Sequence, residues 1–126
     1  MEEEIKSYKD LVVWQKSMNL VVDIYKITEN FPREEIFGLT SQMRRCAISI
    51  PSNIAEGRGR GTRKDFAQFL RIALGSANEL QTQVEIARRL TATKNLNYQQ
   101  IDSLIIEVIK ILKAIINKLN SEFPKS

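Results

Sequence analysis

A regular row of apolar and small side chains between residues 66 and 91 constrains the fold of this chain more than any other feature. The row advances in steps of 4, 3, 4, 3, 4, 3 and 4 residues, through Phe66, Leu70, Ala73, Ala77, Leu80, Val84, Ala87 and Thr91. Steps that alternate in this way keep one face of an α-helix against a neighbouring helix along its whole length. We therefore predict a long helix over about residues 63–92, packed in a left-handed bundle.

Three other segments have helical periodicity, over about residues 9–29, 39–57 and 98–120. The first has an apolar row at Leu11, Trp14, Met18, Val21, Val22 and Tyr25. The second has its row at Leu39, Met43, Cys46, Ala47, Ile50 and Ile54, and the pattern continues through Pro51. A proline inside a continuous pattern predicts one kinked helix rather than two helices. Gly57 is the expected C-terminal stop of that helix.

Four helices joined by short connections predict an all-α fold of one domain over residues 1–126. No sequence repeat, strand-like alternation or low-complexity segment is present. Short connections place consecutive helices side by side, which gives an antiparallel up-down-up-down four-helix bundle with a proline-kinked second helix. We expect residues 1–7 and 121–126 to be frayed.

The fourth helix carries more apolar side chains than one core-facing row can use. Beyond its row, the surplus that we assign to a subunit interface consists of Leu104, Ile109, Ile111 and Ile116. Large exposed apolar surfaces are uncommon on monomers, which favours this assignment. The alternative is a wide core face on a helix that packs between two others.

The composition excludes several kinds of catalytic and metal site. The chain has no histidine and one cysteine, so it lacks histidine-based catalytic dyads, histidine–zinc sites and internal disulfides. We expect no cofactor and no metal. No apolar run is long enough to span a membrane, and the segment MEEEIKSYKD does not resemble a signal peptide, so we expect a cytoplasmic protein without a membrane partner.

The carboxylates that could serve an enzyme do not form an obvious pair. The candidates are Glu56, Asp65, Glu79 and Glu85. Glu79 and Glu85 are six residues apart and fall on different faces of a helix. We interpret Glu56, beside Arg58, as a support of the turn or as an ion-pair partner, and Glu79 as an intersubunit or interhelical salt-bridge partner. We predict that the protein is not an enzyme.

The positive charge of the chain is concentrated between residues 39 and 71. This segment has seven Lys and Arg residues against two acids, a net charge of +5, whereas the whole chain is +4. The predicted nucleic-acid-binding residues are Arg44, Arg45, Arg58, Arg60, Arg63 and Lys64. Arginine suits phosphate because its planar fork can donate two parallel hydrogen bonds. We therefore predict RNA or DNA backbone binding.

Two simpler interpretations stay open. In one, the glycines of the Gly57–Gly61 connection serve only the geometry of a solvated loop. In the other, the protein is a protein–protein interaction module in which the apolar surplus binds a different partner. Trp14 and Cys46 are interpreted as packing residues, and Asn53 as a partner for backbone groups freed by Pro51.

Three motifs resemble one known family. They are Ser49–Gly57, read as SIPSNIAEG after Arg44-Arg45; YKDLVVWQK at residues 8–16; and FLRIALGSANELQTQ at residues 69–83. Together they resemble the four-helix-bundle proteins encoded within bacterial 23S ribosomal RNA intervening sequences. The chain is also similar to the accessory proteins of diversity-generating retroelements, which are basic pentameric bundles that bind nucleic acid and a reverse transcriptase.

The resemblance implies an antiparallel four-helix bundle that assembles into a ring-like homopentamer. It supplies no defined activity. Family members are sometimes labelled as ribosomal proteins, but nothing in this sequence supports a place in the ribosome. We therefore expect a homo-oligomer with RNA, DNA or a protein as its partner.

Overall fold

The structure, a computed structural model, describes residues 7–121 and contains four α-helices. They are α1 (Val12–Thr28), α2 (Leu39–Gly59), α3 (Arg63–Arg89) and α4 (Gln99–Ser121). Short 3-10 helices at Tyr8–Asp10 and Arg33–Glu35 precede α1 and α2. The all-α fold is confirmed. Residues 1–6 and 122–126, where we expected fraying, lie outside the described residues, whereas Ser7 and Ser121 lie within them.

Contacts between the helices follow an antiparallel up-down order. Along α1 and α2, Trp14 shares a pocket with Ala55, and Arg44 contacts Thr28. Along α3 and α4, Arg88 contacts Asp102 near one end and Arg71 contacts Asn120 near the other. In each pair the residue number rises on one helix as it falls on the other. Each helix contacts its two neighbours around the bundle.

The core runs through all four helices, and α3 supplies the row that its sequence predicts except at its ends, since Phe66 is half-buried and Thr91 is exposed beyond the helix. Leu70, Ala73, Ala77, Leu80, Val84 and Ala87 are all buried. Small residues on this row let α2 and α3 approach closely. The exposed Gly75, by contrast, has no atom near the position of a missing Cβ, so it does not mark a close approach within the chain.

The predicted apolar row of α1 is wrong by one position. The buried face of α1 consists of Val13, Ser17, Leu20, Ile24, Ile27 and Thr28. Met18 and Val22 are instead 38% and 48% exposed. Ser17 can occupy the core because its hydroxyl donates a hydrogen bond to the Trp14 carbonyl oxygen at 2.8 Å. Helix α1 therefore has an apolar core face and a second, partly exposed apolar face.

The second helix does not stop at Gly57. It continues to Gly59, and Gly57 is buried where α2 crosses α3. A Cβ at Gly57 would lie 2.6 Å from the Phe69 Cβ, so glycine is needed there for packing. The turn itself is made by Gly61, whose φ of +87° suits glycine.

Helix α2 passes through Pro51 without interruption, as predicted, and the kink at Pro51 stays a prediction. Asn53 lies beside the proline and donates hydrogen bonds to the Ser49 carbonyl oxygen at 2.8 Å and to Ser49 Oγ at 2.9 Å. Its amide therefore serves the backbone of this turn, in line with our interpretation. The helix begins where the Glu35 carboxylate accepts a hydrogen bond from the Leu39 N–H at 3.0 Å.

Helix α3 ends at Arg89, three residues earlier than predicted, because Thr93 closes it. The buried Thr93 hydroxyl donates to the Ala87 carbonyl oxygen at 2.6 Å. The Tyr98 hydroxyl then donates to the Thr93 carbonyl oxygen at 2.8 Å. Thr93 thus provides a hydrogen-bond partner for a carbonyl oxygen near the end of α3 and holds the side chain of Tyr98, the residue before α4.

Candidate nucleic-acid interface

The turn between α2 and α3 is built to present cations at one end of the bundle. Gly57 brings the two helices into contact, and Gly61 reverses the chain. Thr62 then caps α3, because its hydroxyl oxygen accepts a hydrogen bond from the Asp65 N–H at 3.1 Å. The turn is therefore fixed by packing and capping, and this defined backbone carries Arg58, Arg60 and Arg63.

Cations from three helices meet beside this turn. Arg58 of α2, Arg63 of α3 and Lys118 of α4 line one cavity of about 330 Å³. Phe66, Ile115 and Leu119 form its apolar wall. The N-terminus of α3 opens at the same place and adds the positive end of a helix dipole. We call Arg58, Arg63 and Lys118 the basic end.

Lys118 was missed by the sequence interpretation because it lies far along the chain from the basic segment, residues 39–71. The signal that could have found it is topological. In an up-down bundle the C-terminus of α4 lies beside the connection between α2 and α3. A cation in the last turn of α4 is therefore a neighbour of that connection.

Arg60 and Lys64 lie on the same turn, and Arg60 is partly held by the protein itself. Its guanidinium pairs with Glu56 at 3.0 Å and lies 4.9 Å from the centre of the Phe69 ring. Half of the Arg60 side chain stays exposed. Lys64 is exposed in the first turn of α3. Glu56 thus supports the turn, as expected.

Arg44 and Arg45 do not join the other predicted cations. Thirteen or fourteen residues of continuous helix separate them from Arg58, which is roughly 20 Å along the axis of α2. Arg44 Nε donates to Thr28 Oγ1 at 2.8 Å, and its guanidinium lies 4.4 Å from the Tyr25 ring centre. The six predicted residues therefore form two groups, and Arg44 belongs to the packing of α1 on α2.

The predicted subunit interface on α4 is largely accounted for within the chain. Leu104 and Ile116 are only 9% and 7% exposed and belong to the core, so their assignment to an interface is wrong. Ile109 and Ile111 are half-buried and pack against that core. The wide-core alternative explains this helix, because α4 packs between α1 and α3.

Exposed apolar side chains occur on all four helices, and one group of them lies on α1 and α2. Met18 and Val22 of α1 and Ile48 of α2 are each between 38% and 48% exposed. Beside them, an apolar cavity of about 320 Å³ is lined by Trp14, Val21 and Pro51, among others. We call Met18, Val22 and Ile48 the α1–α2 face. The Trp14 ring is half-buried and contacts the Tyr8 ring edge-on at 5.3 Å.

The candidate carboxylates lie in separate places. Glu85 pairs with Arg88 and Arg89, and the hydrogen bonds from these arginines lower its pKa. Glu79 lines a pocket between α2 and α3 and forms no ion pair with a described residue, so the interhelical salt bridge that we expected for it is wrong and the intersubunit one stays a prediction. Asp65 is exposed beside the Thr62 cap. Between residues 7 and 121, no three acidic or cysteine side chains are grouped closely enough to hold a metal ion.

The comparisons with known proteins place the chain in a family. Residues 9–114 match the family described as 23S rRNA-intervening sequence protein. The chain belongs to this family. No curated protein matches the chain.

A solved structure agrees with this membership in the 23S rRNA-intervening sequence protein family. It is the 1.70 Å crystal structure of a protein with unknown function from the S23 ribosomal protein family of Bacteroides thetaiotaomicron VPI-5482. The identity is 31%, the match covers 84% of this chain and 96% of that one, and the TM-score is 0.71. Among residues 7–121 of the present protein, no helix has the length and apolar character of a transmembrane span.

Proposed function

We propose that this protein is a non-enzymatic, homo-oligomeric helical bundle that binds the phosphate backbone of RNA or DNA through its basic end. The observation that carries the proposal is the meeting of Arg58, Arg63 and Lys118 around one cavity. These residues come from three different helices, so their proximity is a property of the fold. Arg60 and Lys64 extend the same positive surface.

The chemistry of the basic end suits phosphate. Guanidinium groups donate paired hydrogen bonds to phosphate oxygens, and a lysine ammonium adds a compact charge. The exposed N–H groups at the start of α3 and the helix dipole favour an anion at the same place. In a symmetric oligomer, each copy would present this surface, so that one nucleic acid could contact several of them.

Fluorescence anisotropy across a salt series tests this function. The probes are a structured RNA and a DNA duplex, and the variant replaces Arg58, Arg63 and Lys118 with Gln. Phosphate contacts release counterions, so the logarithm of affinity falls with the logarithm of salt concentration by about 0.9 per contact on duplex DNA. We expect the triple variant to bind more weakly and with a shallower slope.

A matched control removes three exposed cations from the opposite end of the bundle. It replaces Arg33, Arg89 and Lys94 with Gln, which changes the net charge by the same amount. If the control and the basic-end variant lose affinity equally, binding reflects net charge and the proposed site is wrong. If the wild-type protein fails to bind either probe at low salt, the nucleic-acid function itself is wrong.

The α1–α2 face is our proposed surface for the homo-oligomer. Its exposed methionine, valine and isoleucine side chains form an apolar surface of the kind that protein interfaces bury. We expect Ile48→Glu to lower the native mass measured by light scattering. Ile106→Glu is the control, because Ile106 is 56% exposed on α4 rather than on this face.

The alternative function is a protein-interaction module without nucleic-acid binding. The same apolar face favours it, since a different protein could cover the surface that we assign to a second copy. A monomeric native mass that changes only when a partner protein is added would support this alternative. A closed homo-oligomer, unaffected by such a partner, would contradict it.

A further inference from the structure

A second polar site lies between the N-terminal half of α2 and the middle of α3, away from the basic end. It is a pocket of about 490 Å³, whose lining includes Arg45, Cys46, Ser49, Ser76, Glu79 and Gln83. We call it the α2–α3 pocket. Its volume is in the range of pockets that hold small molecules. None of these residues belongs to the basic end, so a ligand here would be independent of nucleic-acid binding.

One acceptor in this pocket is buried and has no donor. The Gln83 side chain is 5% exposed, and its Oε1 accepts no hydrogen bond from any residue that the structure describes. Buried polar atoms are nearly always paired, and one without a partner in the protein can be satisfied by an ordered water, an ion or a ligand. Gln83 Oε1 is therefore an open acceptor in the pocket, and a ligand amine is one group that can donate to it.

The other polar groups in the pocket do not supply that donor. Ser49 Oγ and Ser76 Oγ lie 2.9 Å apart and hydrogen-bond to each other, which joins the two walls. The Cys46 thiol lies beside Glu79 and Gln83, and burial, followed by the negative charge of Glu79, raises its pKa to about 11. A thiol held neutral in this way leaves the Glu79 carboxylate as the negative group of the pocket.

Two opposite charges line the pocket without neutralising each other. Glu79 and Arg45 are both exposed and line the same pocket, and neither forms an ion pair with a described residue. Glu85, six residues further along α3, shows the contrast because it pairs with two arginines. A ligand with both charges would satisfy Glu79 and Arg45 together.

We propose that the α2–α3 pocket binds a small amino-acid-like zwitterion. The cationic nitrogen of the ligand lies against the Glu79 carboxylate and donates a hydrogen bond to Gln83 Oε1. The carboxylate of the ligand pairs with the Arg45 guanidinium. Phe37, a fully exposed ring at the mouth of the pocket, offers a face for the cationic group.

Isothermal titration calorimetry with L-arginine and agmatine tests this proposal. The two probes share a guanidinium and an amino group and differ by the carboxylate. We expect arginine to bind at least tenfold more tightly than agmatine. In Arg45→Gln the two affinities should become equal, whereas Glu79→Gln should weaken both by tenfold or more. Glu85→Gln, on the same helix but outside the pocket, should change neither.

Gln83→Leu separates binding from folding. It removes the unpaired buried acceptor, so thermal stability should hold or rise while arginine affinity falls. The proposal is overturned if neither probe binds the wild-type protein saturably, or if Glu79→Gln behaves like Glu85→Gln. It is also overturned if Glu79→Gln lowers the native mass without any added ligand, because the cation in the pocket then comes from another copy of the chain.

Discussion

Arg88 and Asp102 join α3 to α4 through two parallel hydrogen bonds. Arg88 Nη2 lies 2.8 Å from Asp102 Oδ1, and Nη1 lies 3.2 Å from Oδ2. The same guanidinium also lies 5.4 Å from the centre of the Tyr98 ring. The two side chains are 36% and 41% exposed, so this pair is less exposed than the Arg60–Glu56 and Arg89–Glu85 pairs.

We expect the Arg88–Asp102 pair to have a measurable coupling energy of about 0.5–1 kcal/mol, because its geometry is bidentate and fixed. The measurement is a double-mutant cycle by urea unfolding, with Arg88→Gln and Asp102→Asn. The control cycle uses Arg89 and Glu85, where the Arg89 side chain is 78% exposed. A coupling energy for the control as large as that of the Arg88–Asp102 pair would contradict this expectation.

Gly57 and Gly75 should respond in opposite directions to alanine. At Gly57 the new Cβ would meet the Phe69 Cβ at 2.6 Å, and overpacking of this kind costs about 1–3 kcal/mol. At Gly75 the new Cβ meets no atom, and alanine favours a helix interior over glycine by about 1 kcal/mol. Chemical denaturation of both variants gives the comparison. Equal effects would mean that the α2–α3 contact is looser than described.

Arg44 should matter for stability and not for nucleic-acid binding. Its side chain bonds to Thr28 Oγ1 and lies over the Tyr25 ring, so Arg44→Gln should lower the free energy of unfolding by about 1–2 kcal/mol. Arg45→Gln removes the same charge next to it without these contacts. Anisotropy should show equal, small changes in affinity for both variants. If Arg44→Gln lost more nucleic-acid affinity than Arg45→Gln, Arg44 would be part of the nucleic-acid site.

Cys46 should make the fold less stable in alkali. Its folded-state pKa rises from the usual 9.0 to about 11, so the folded protein holds the thiol proton more tightly than the unfolded chain. The unfolded chain therefore loses its proton first, and stability falls as the pH rises from about 9 to about 11. Below pH 9 the thiol has no effect on the pH dependence.

The measurement for Cys46 is the free energy of unfolding against pH, compared with Cys46→Ala. The Tyr98 hydroxyl, whose pKa is also raised by burial, is present in both proteins and cancels in the difference. The free energy of unfolding of the wild-type protein minus that of Cys46→Ala should be constant below pH 9 and fall above it. A difference that stays flat up to pH 11 would show that the thiol is not buried in solution.

The sequence predicted the helices well because their periodicity is strong, and it failed where two patterns overlapped. The row on α3 was clear, since its alternating steps of three and four residues continue without a break from Phe66 to Ala87. On α1, two apolar faces compete, and the true core face includes Ser17, whose hydrogen bond to its own helix cannot be read from composition. On α4, contact with two neighbouring helices explains the buried Leu104 and Ile116.

The candidate site was only partly predictable, because closeness in sequence is not closeness in space along a helix. Arg44 and Arg58 belong to one basic segment, yet the helix between them separates them widely. Lys118 lies outside the segment, yet the fold brings it to the same cavity as Arg58. The α2–α3 pocket depends on the side-chain packing of Gln83, which no periodicity reveals.

The hydrogen bonds of Thr93 also bear on how the chain acquires its shape. They join residues no more than six positions apart, Ala87 to Thr93 and Thr93 to Tyr98, so forming them closes only a very short loop. Short loops lose little chain entropy on closure, which favours early formation during folding. We therefore expect Thr93→Val to slow refolding in stopped-flow experiments, and unchanged refolding would place this connection late. If Thr93→Val does slow refolding, the α3–α4 hairpin is the nucleus on which α1 and α2 assemble.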